Sequence, residues 1–177
     1  MGIYLSMTNA RIGVRGDFVG LDNYLWLANS PIFRTALLNS LMYTIVTVII
    51  KLSLGVMLAL LLNKNLPPKK IFRAIILLPW VVPIVLSATA WKWIYDSTYS
   101  VLNWLILNLG FSDNKILWLG QPITARISVM IVNIWRGTPF FAINLLAGLI
   151  TIPKEMYEAA WTDGANAFVC FRKITIP

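Results

Sequence analysis

Residues 35–62 read TALLNSLMYTIVTVIIKLSLGVMLALLL, an apolar run whose only charged residue is Lys51. A helix of about 20 residues crosses the ~30 Å hydrocarbon core of a bilayer, so this segment is long enough to span a membrane. Two more apolar stretches, at about 71–95 and 123–150, meet the same condition. Alternating segments of the β-barrel type are absent, and helices satisfy their backbone bonds internally in lipid. The chain is therefore predicted to be all-α, a polytopic membrane helical bundle with three transmembrane spans.

Composition supports a protein that resides in the lipid bilayer. Hydrophobic residues make up 58% of the 177-residue chain and charged residues only 12%, and the mean hydropathy is +0.73. A soluble domain needs more charged surface than this. The net charge of +8 is spread through short loops without a basic stripe, so no nucleic acid partner is expected. One cysteine and no histidine exclude an internal disulfide and disfavour a metal or catalytic site.

The basic residues predict which side of the membrane each loop occupies. Three crossings put segments 1–34 and 96–124 on one face, and segments 63–70 and 153–177 on the other. The second face with its flanks carries Lys64, Lys69, Lys70, Arg73, Lys154, Arg172 and Lys173, and the first carries Arg11, Arg15, Arg34 and Lys115. Cytoplasmic loops are enriched in lysine and arginine, so the second face is predicted to be cytoplasmic.

Prolines and a short periodic segment predict local features around the spans. Pro79 and Pro83 lie inside the second span and are expected to bend it, either as a fixed kink or as a moving hinge. Pro67 and Pro68 stop the helix in the inner loop, which predicts a tight hairpin of the first two spans. Helical spacing of leucine and isoleucine over 102–109 predicts an amphipathic helix on the outer surface.

The third span carries polar residues on a single helical face. This face consists of Asn133, Arg136, Gly137, Phe140 and Asn144, spaced at i, i+3, i+4, i+7 and i+11. An arginine near the bilayer centre costs ~2.5–3.5 kcal/mol, so the face should meet a water-filled cavity or a polar partner. Gly137 would allow close approach, and Phe140 offers a flat surface on which a sugar ring can stack. We interpret this face as a substrate pathway, while hydrogen bonding of Arg136 and the asparagines to neighbouring helices remains the alternative.

Lys51 is harder to interpret from the sequence. It lies midway along the first span and has no polar neighbours on its own helix. Two interpretations are possible: Lys51 pairs with a helix outside this chain, or its ammonium snorkels towards the membrane interface. The sequence assigns the residue no role.

The segment after Ile150 predicts a short helix, a turn and a second helix. Pro153 fits the first turn, Glu155 suits the positive end of the helix dipole, and Gly164 can end the helix with positive φ. Packing of this helix on its own bundle and contact with a partner protein are equally compatible with these signals.

The same segment contains a recognisable motif. Bacterial ATP-binding-cassette (ABC) importer permeases have a characteristic loop pattern: Glu-Ala-Ala, three residues, Gly, nine residues, Ile, one residue and Leu-Pro. This chain resembles it at Glu158, Ala159, Ala160, Gly164, Ile174 and Pro177, with Ile176 in place of Leu. The resemblance implies that 153–177 is a cytoplasmic coupling loop docking to an ATPase. We expect the contact residues to be Met156, Glu158, Ala159, Ala160, Asp163 and Gly164.

Three other segments resemble the carbohydrate-uptake branch of the same family. They are Phe-Val-Gly-Leu-Asp-Asn-Tyr at 18–24, Phe-Arg-Ala at 72–74 leading to Leu-Pro-Trp-Val-Val-Pro at 78–83, and Trp-Arg-Gly-Thr-Pro-Phe at 135–140. Such permeases have six core spans, and the resemblance places the present three as the second to fourth. We therefore expect residues 1–177 to be part of an ABC importer transmembrane domain.

The resemblance implies a multi-pass subunit of a sugar importer in the bacterial cytoplasmic (inner) membrane. Expected partners are a second permease subunit, two copies of an ATP-binding subunit and an extracytoplasmic solute-binding protein. No phosphate-binding loop occurs in the chain, so ATP and Mg²⁺ are expected on the ATPase and no cofactor on this chain. The alternatives are a permease for glycerol phosphate or a polyamine, a membrane scaffold without transport, and a membrane enzyme. The last is disfavoured because no acidic residue falls within a span.

Overall fold

A computed structural model describes residues 1–64 and 68–176. The expected helix stop at Pro67 and the motif residue Pro177 lie outside these ranges. The chain divides into two compact units, Met1–Ile45 and Val46–Pro177. Helices account for the regular structure of the described residues, with two isolated β-bridges near the N-terminus. The predicted all-α class is confirmed.

The first unit contains two short helices joined by hydrogen bonds from Asn23. Helix α1 is Gly2–Ser6 and helix α2 is Asp22–Asn29. Near the start of α2, the Nδ2 amide of Asn23 donates to the backbone carbonyls of Ser6 (3.0 Å) and Thr8 (2.9 Å). One side chain from the 18–24 segment therefore satisfies two carbonyls that the end of α1 leaves free.

Two long helices match the first and third predicted spans. Helix α3 is Pro31–Asn63, with 33 residues, and helix α7 is Pro122–Thr151, with 30 residues. By length and hydropathy both can cross a membrane. Each is longer than the ~20 residues that the hydrocarbon core needs, so both extend beyond it or tilt.

The second predicted span consists of two helices that meet at a sharp bend. Helix α4 is Lys69–Val81 and helix α5 is Ile84–Ile94, and their axes differ by 86°. The break falls at Pro83, because a residue that precedes proline is disfavoured in the helical region and Val82 is extended (φ −61°, ψ 130°). Pro79 lies inside α4 without ending it. The expected bend is present, and it is a complete helix break.

Helices α3 and α7 approach each other closely through small side chains. A Cβ atom added at Gly55 would lie 2.8 Å from Cβ of Phe141, closer than non-bonded carbons come. Four residues further on, Ala59 is fully buried and forms a cluster with Leu62 and Leu146. Small residues four apart let two membrane helices pack backbone to backbone, which is how helices associate in lipid.

The order of these contacts shows that α3 and α7 run in the same direction. Lys51 meets Asn133, and Gly55, further along α3, meets Phe141, further along α7. Two parallel spans start on the same side of a membrane, so the chain between them has to return across it. The bent pair α4–α5 is the apolar segment available for that crossing. This geometry supports the predicted three-span topology.

The loop after α5 contains the short helix predicted over 102–109. Helix α6 is Val101–Asn108. The buried Asn103 joins it to the following segment: its Oδ1 accepts from the Ile116 backbone N–H and the Trp118 Nε1–H, both at 3.1 Å. Its Nδ2 donates to the Ile116 carbonyl (3.1 Å). Both the oxygen and the nitrogen of the Asn103 amide therefore have hydrogen-bond partners. The hydrophobic pattern of α6 does not predict this role.

A carboxylate organises the turn that leads into α6. The side chain of Asp96 accepts backbone N–H bonds from Tyr99 (2.9 Å) and Thr98 (2.8 Å). These bonds stabilise the ionised form and lower the pKa of Asp96 below its ordinary value.

The close contact at Gly55 leads to a stability prediction. We expect Gly55→Ala to lower the free energy of unfolding by about 1–3 kcal/mol, because its methyl group overpacks the α3–α7 contact. Gly148→Ala is the matched control, since a Cβ there meets no atom within 4 Å. Denaturation of the purified protein in detergent measures both. Equal stability of the two variants would show that the helices are not in close contact at Gly55.

Candidate functional site

The predicted pathway face lies on α7, which continues through the buried Pro139 without a break. Its five residues have different surroundings. Asn133 and Gly137 meet α3, Phe140 meets α4, Arg136 is half-buried, and Asn144 is exposed. The residues of this face therefore contact two different helices, α3 and α4, and do not form one open surface.

Asn133 and Gly137 form a contact with Lys51 of α3. The Lys51 ammonium donates to Oδ1 of Asn133 at 2.9 Å. A Cβ added at Gly137 would lie 2.7 Å from Cδ of Lys51, so the lysine stem runs through the space where another residue would place its side chain. The ammonium also lies 5.6 Å from the ring centre of Phe141, within range of a cation–π interaction.

The structure gives Lys51, to which the sequence assigns no role, a polar partner on the third span. A lysine and an asparagine inside a membrane both need polar partners, and this need could have suggested that Lys51 pairs with Asn133. The sequence of each helix does not show how α3 and α7 align with each other, so it does not identify the pair.

Arg136 differs from Asn133 in its bonding. Its Nε atom is buried and has no hydrogen-bond partner among the described residues. Asn144 turns back on its own helix, where its Nδ2 donates to the Phe140 carbonyl at 2.7 Å. Of these three polar side chains, only Asn133 is bonded to a neighbouring helix within the described structure. The pathway role of the face stays a prediction.

Phe140 remains partly available for a flat ligand. Its ring stacks with Trp80 of α4, with centroids 6.0 Å apart and planes at 29°. The phenylalanine is nonetheless 50% exposed. Trp80 extends the aromatic surface of Phe140 and is a candidate contact residue that the sequence did not single out.

A largely apolar groove of about 630 Å³ opens beside the last turns of α7. Its walls come from α3, α7 and the segment after α7, and they include Leu52, Val56, Leu60, Asn144, Gly148 and Phe171. Asn144, a member of the predicted face, borders this groove.

The loop helix begins one residue after Pro153, which was predicted in its first turn, and ends before Gly164. Helix α8 is Lys154–Thr162, with Pro153 as its N-cap residue and Glu155 in its first turn. At the end of α8, Gly164 has φ +81°. The Gly164 N–H donates to the Trp161 carbonyl (3.0 Å), and the Ala165 N–H donates to the Ala160 carbonyl (2.8 Å). This pair of bonds is a Schellman motif, in which only glycine adopts the left-handed conformation without strain. The predicted helix end is confirmed.

Most of the predicted docking residues lie on the open surface of α8 and its cap. Met156 is 50% exposed, and Glu158, Ala159, Asp163 and Gly164 are exposed, whereas Ala160 is half-buried. Trp161 beside them is 60% exposed. The expected docking residues do not include it, although it directly follows Glu-Ala-Ala in the sequence. A protruding helix with an exposed methionine, tryptophan and carboxylate offers apolar and charged contacts to a partner. Docking by these residues stays a prediction.

The opposite side of α8 is anchored to the chain that follows. Helix α9, Ala167–Cys170, continues into a π-helical turn, Phe171–Thr175. The Tyr157 hydroxyl shares a hydrogen bond of 3.0 Å with Oγ1 of Thr175. This bond fixes the side of α8 that faces the body of the unit and leaves the other side free.

Comparison with known proteins agrees with these features. The family described as "Binding-protein-dependent transport system inner membrane component" matches residues 51–177. The chain is 41% identical over 160 residues to the trehalose/maltose transport system permease protein MalF of Thermococcus litoralis, covering 90% of this chain and 54% of that protein. It is 35% identical over 173 residues to the sulfoquinovosyl glycerol transport system permease protein SmoG of Agrobacterium fabrum, covering 98% and 54%.

A solved structure has the same fold. The crystal structure of a bacterial alginate ABC transporter, in complex with an alginate pentasaccharide-bound periplasmic protein, superposes with a TM-score of 0.77. Sequence identity is 27%, over 89% of this chain and 55% of the matching chain.

The helical membrane fold and the matches define a permease-type component of ABC transporters, which is not an enzyme. The chain belongs to the family of binding-protein-dependent transport system inner membrane components. It spans about half the length of the curated relatives that it matches.

The anchoring of α8 gives a prediction for its dynamics. Tyr157→Phe removes the hydroxyl bonded to Thr175, and one hydrogen bond is worth about 1 kcal/mol. We therefore expect amide exchange across 154–162 to be about fivefold faster, measured by hydrogen–deuterium exchange. Tyr99→Phe is the matched control, because Tyr99 is 86% exposed and its hydroxyl has no partner in the described structure. Unchanged exchange in Tyr157→Phe would mean that another contact holds the helix.

Proposed function

We propose that this chain is part of the transmembrane permease subunit of an ATP-driven sugar importer in the cytoplasmic membrane. Several relatives support a sugar as cargo, since their names specify trehalose and maltose, sulfoquinovosyl glycerol, and diacetylchitobiose. The chain crosses the membrane as a multi-pass protein, with the loop that contains α8 on the cytoplasmic side, in agreement with its basic residues.

The observation that carries this proposal is the exposed, rigidly capped helix α8 at the end of a long span. Only Ile152 and Pro153 separate α7 from α8. A partner that moves α8 therefore also moves α7. The Glu-Ala-Ala segment at 158–160 lies on this helix, with its carboxylate and small side chains accessible to a cleft.

The other components of the importer are those that the resemblance to ABC importer permeases implies. ATP and Mg²⁺ bind to a separate ATPase, present in two copies, against which α8 docks. A second permease subunit and an extracytoplasmic solute-binding protein complete the importer. The alginate transporter structure, which includes a periplasmic protein holding a saccharide, supports the last of these partners.

Residues of the α7 face contact the sugar during transport. The Phe140 ring, extended by Trp80, stacks on a sugar ring, and Asn133 and Arg136 donate hydrogen bonds to its oxygens. Closure of the ATPase dimer shifts the population between inward-open and outward-open states, and α7 transmits that shift to this face.

Docking is tested by changing the end of α8. Gly164→Ala forces a side chain into the left-handed region at a cost of about 1–2 kcal/mol, which should distort the helix end and weaken co-purification of the ATPase. Glu158→Ala removes a carboxylate and should act in the same direction. Gly110→Ala is the matched control, because Gly110 closes α6 with φ +72° and the same two backbone bonds. Full ATPase recovery with Gly164→Ala and Glu158→Ala would contradict docking at α8.

Transport is tested at the α7 face in the assembled importer. Asn133→Ala and Phe140→Ala should reduce uptake of [¹⁴C]maltose or [¹⁴C]trehalose while ATPase binding stays intact. Loss of a stacked ring or a hydrogen bond to substrate is worth about 1–1.5 kcal/mol, or up to about tenfold in apparent affinity. Glycerol phosphate is the competing probe. Uptake of glycerol phosphate alone would replace the sugar assignment, and unchanged uptake in both variants would remove the face from the pathway.

A further inference from the structure

The contact between Lys51 and Asn133 fixes the orientation of an amide. An ammonium group has three donors and no acceptor, so the amide atom that faces it has to be Oδ1. The 2.9 Å hydrogen bond therefore leaves Nδ2 as the unoccupied end of Asn133. Among the described residues, Nδ2 of Asn133 has no hydrogen-bond partner.

We propose that Lys51 is a positioning and specificity-determining residue of the transport pathway. By holding Oδ1 of Asn133, it makes that residue present only hydrogen-bond donors to the substrate. This inference rests on the proposed function, in which Asn133 contacts the sugar. Lys51 acts through Asn133 and need not touch the substrate itself.

Packing alone does not require a lysine at this position. One and two turns further along α3, Gly55 and Ala59 already bring the helix against α7. A lysine at the centre of a membrane helix costs about 2.5–3.5 kcal/mol on insertion scales, whereas a leucine there is favourable. The polar contact is what the lysine adds, and what an apolar residue cannot supply.

Helix α7 is shaped around the Lys51 ammonium. The absence of a side chain at Gly137 admits the lysine stem, and the face of Phe141 covers the ammonium on another side. Three residues of α7 thus meet one side chain of α3: an acceptor, a gap and an aromatic ring. That combination limits the conformations open to Lys51 and so limits rotation of the Asn133 amide.

The arrangement selects a class of substrate. Asn133 Nδ2, Lys51 and Arg136 are all donors, and no acidic residue occurs in the three spans to balance the two positive charges. Hydroxyl, ether and carboxylate oxygens accept from such groups, whereas the ammonium groups of a polyamine only donate and are repelled. These donors favour substrates that present acceptor oxygens, as saccharides do, and disfavour polycations.

Two substitutions separate positioning from packing. Asn133→Asp keeps an acceptor for Lys51 and turns the contact into an ion pair, but it removes the Nδ2 donor. Lys51→Met keeps a long stem beside Gly137 and releases the amide to rotate. Ser53→Ala is the control on the same helix, since its hydroxyl bonds only to the Ile49 carbonyl of α3.

The test measures [¹⁴C]maltose uptake by the assembled importer, together with the amount of permease recovered with its ATPase. We expect Lys51→Met and Asn133→Asp each to raise KM about tenfold with unchanged Vmax and normal assembly, and Ser53→Ala to behave as wild type. Spermidine should not compete with maltose. A wild-type KM in Asn133→Asp or in Lys51→Met overturns the proposal, and so does competition by spermidine. If Lys51→Met lowers recovery of the permease but leaves KM unchanged, Lys51 only holds the helices together, which also overturns it.

Failure of this inference can be told apart from failure of the proposed function. If Asn133→Ala and Phe140→Ala impair uptake while Lys51→Met and Asn133→Asp do not, the pathway stands and the positioning role falls. If all four variants transport as the wild type does, the pathway assignment falls, and the inference falls with it.

Discussion

The contact of α3 with α7 around Gly55 is the constraint that sets the register of the candidate site. Lipid supplies no hydrophobic force between helices, so this contact relies on the small side chains at Gly55 and Ala59. Because the two helices run in the same direction, the chain between them must cross back, which gives the broken pair α4–α5 its place. The same register puts Lys51 opposite Asn133, so the polar contact follows from the apolar one.

Features that depend on local chemistry could be predicted from the sequence. The long spans follow from hydropathy, α6 from its periodicity, and α8 from Pro153 and Gly164, since each signal lies within the element that it defines. Pro79 and Pro83 predict a bend in the second span, and the break falls at Pro83 while α4 continues through Pro79. The 86° angle could not be predicted, because neighbouring helices decide how far a broken helix turns. Likewise, the bond of Asn103 to the loop that follows depends on a distant backbone carbonyl and amide.

The candidate site shows the same limit more sharply. Helical spacing correctly places five residues of α7 on one face, yet a face about 100° wide meets two different neighbours in the folded protein. Asn133 and Gly137 face Lys51, which lies 82 residues earlier in the chain than Asn133, while Phe140 faces Trp80. Spacing within one helix cannot supply the register between helices. Both Lys51 and Trp80 were therefore missed as members of the site.

The proposed linkage between α8 and the pathway is consistent with how the two are joined. Helix α7 is continuous from Asn133 to Thr151, a rise of about 27 Å, so it can act as a stiff lever. Only Ile152 and Pro153 separate it from α8, and the Tyr157–Thr175 bond links α8 to the segment that follows it. At Asn133, α7 is hydrogen-bonded to Lys51 of α3. In the proposed mechanism, a small displacement of α7 at that point changes which donors face the pathway, so that movement of α8 is transmitted to substrate affinity.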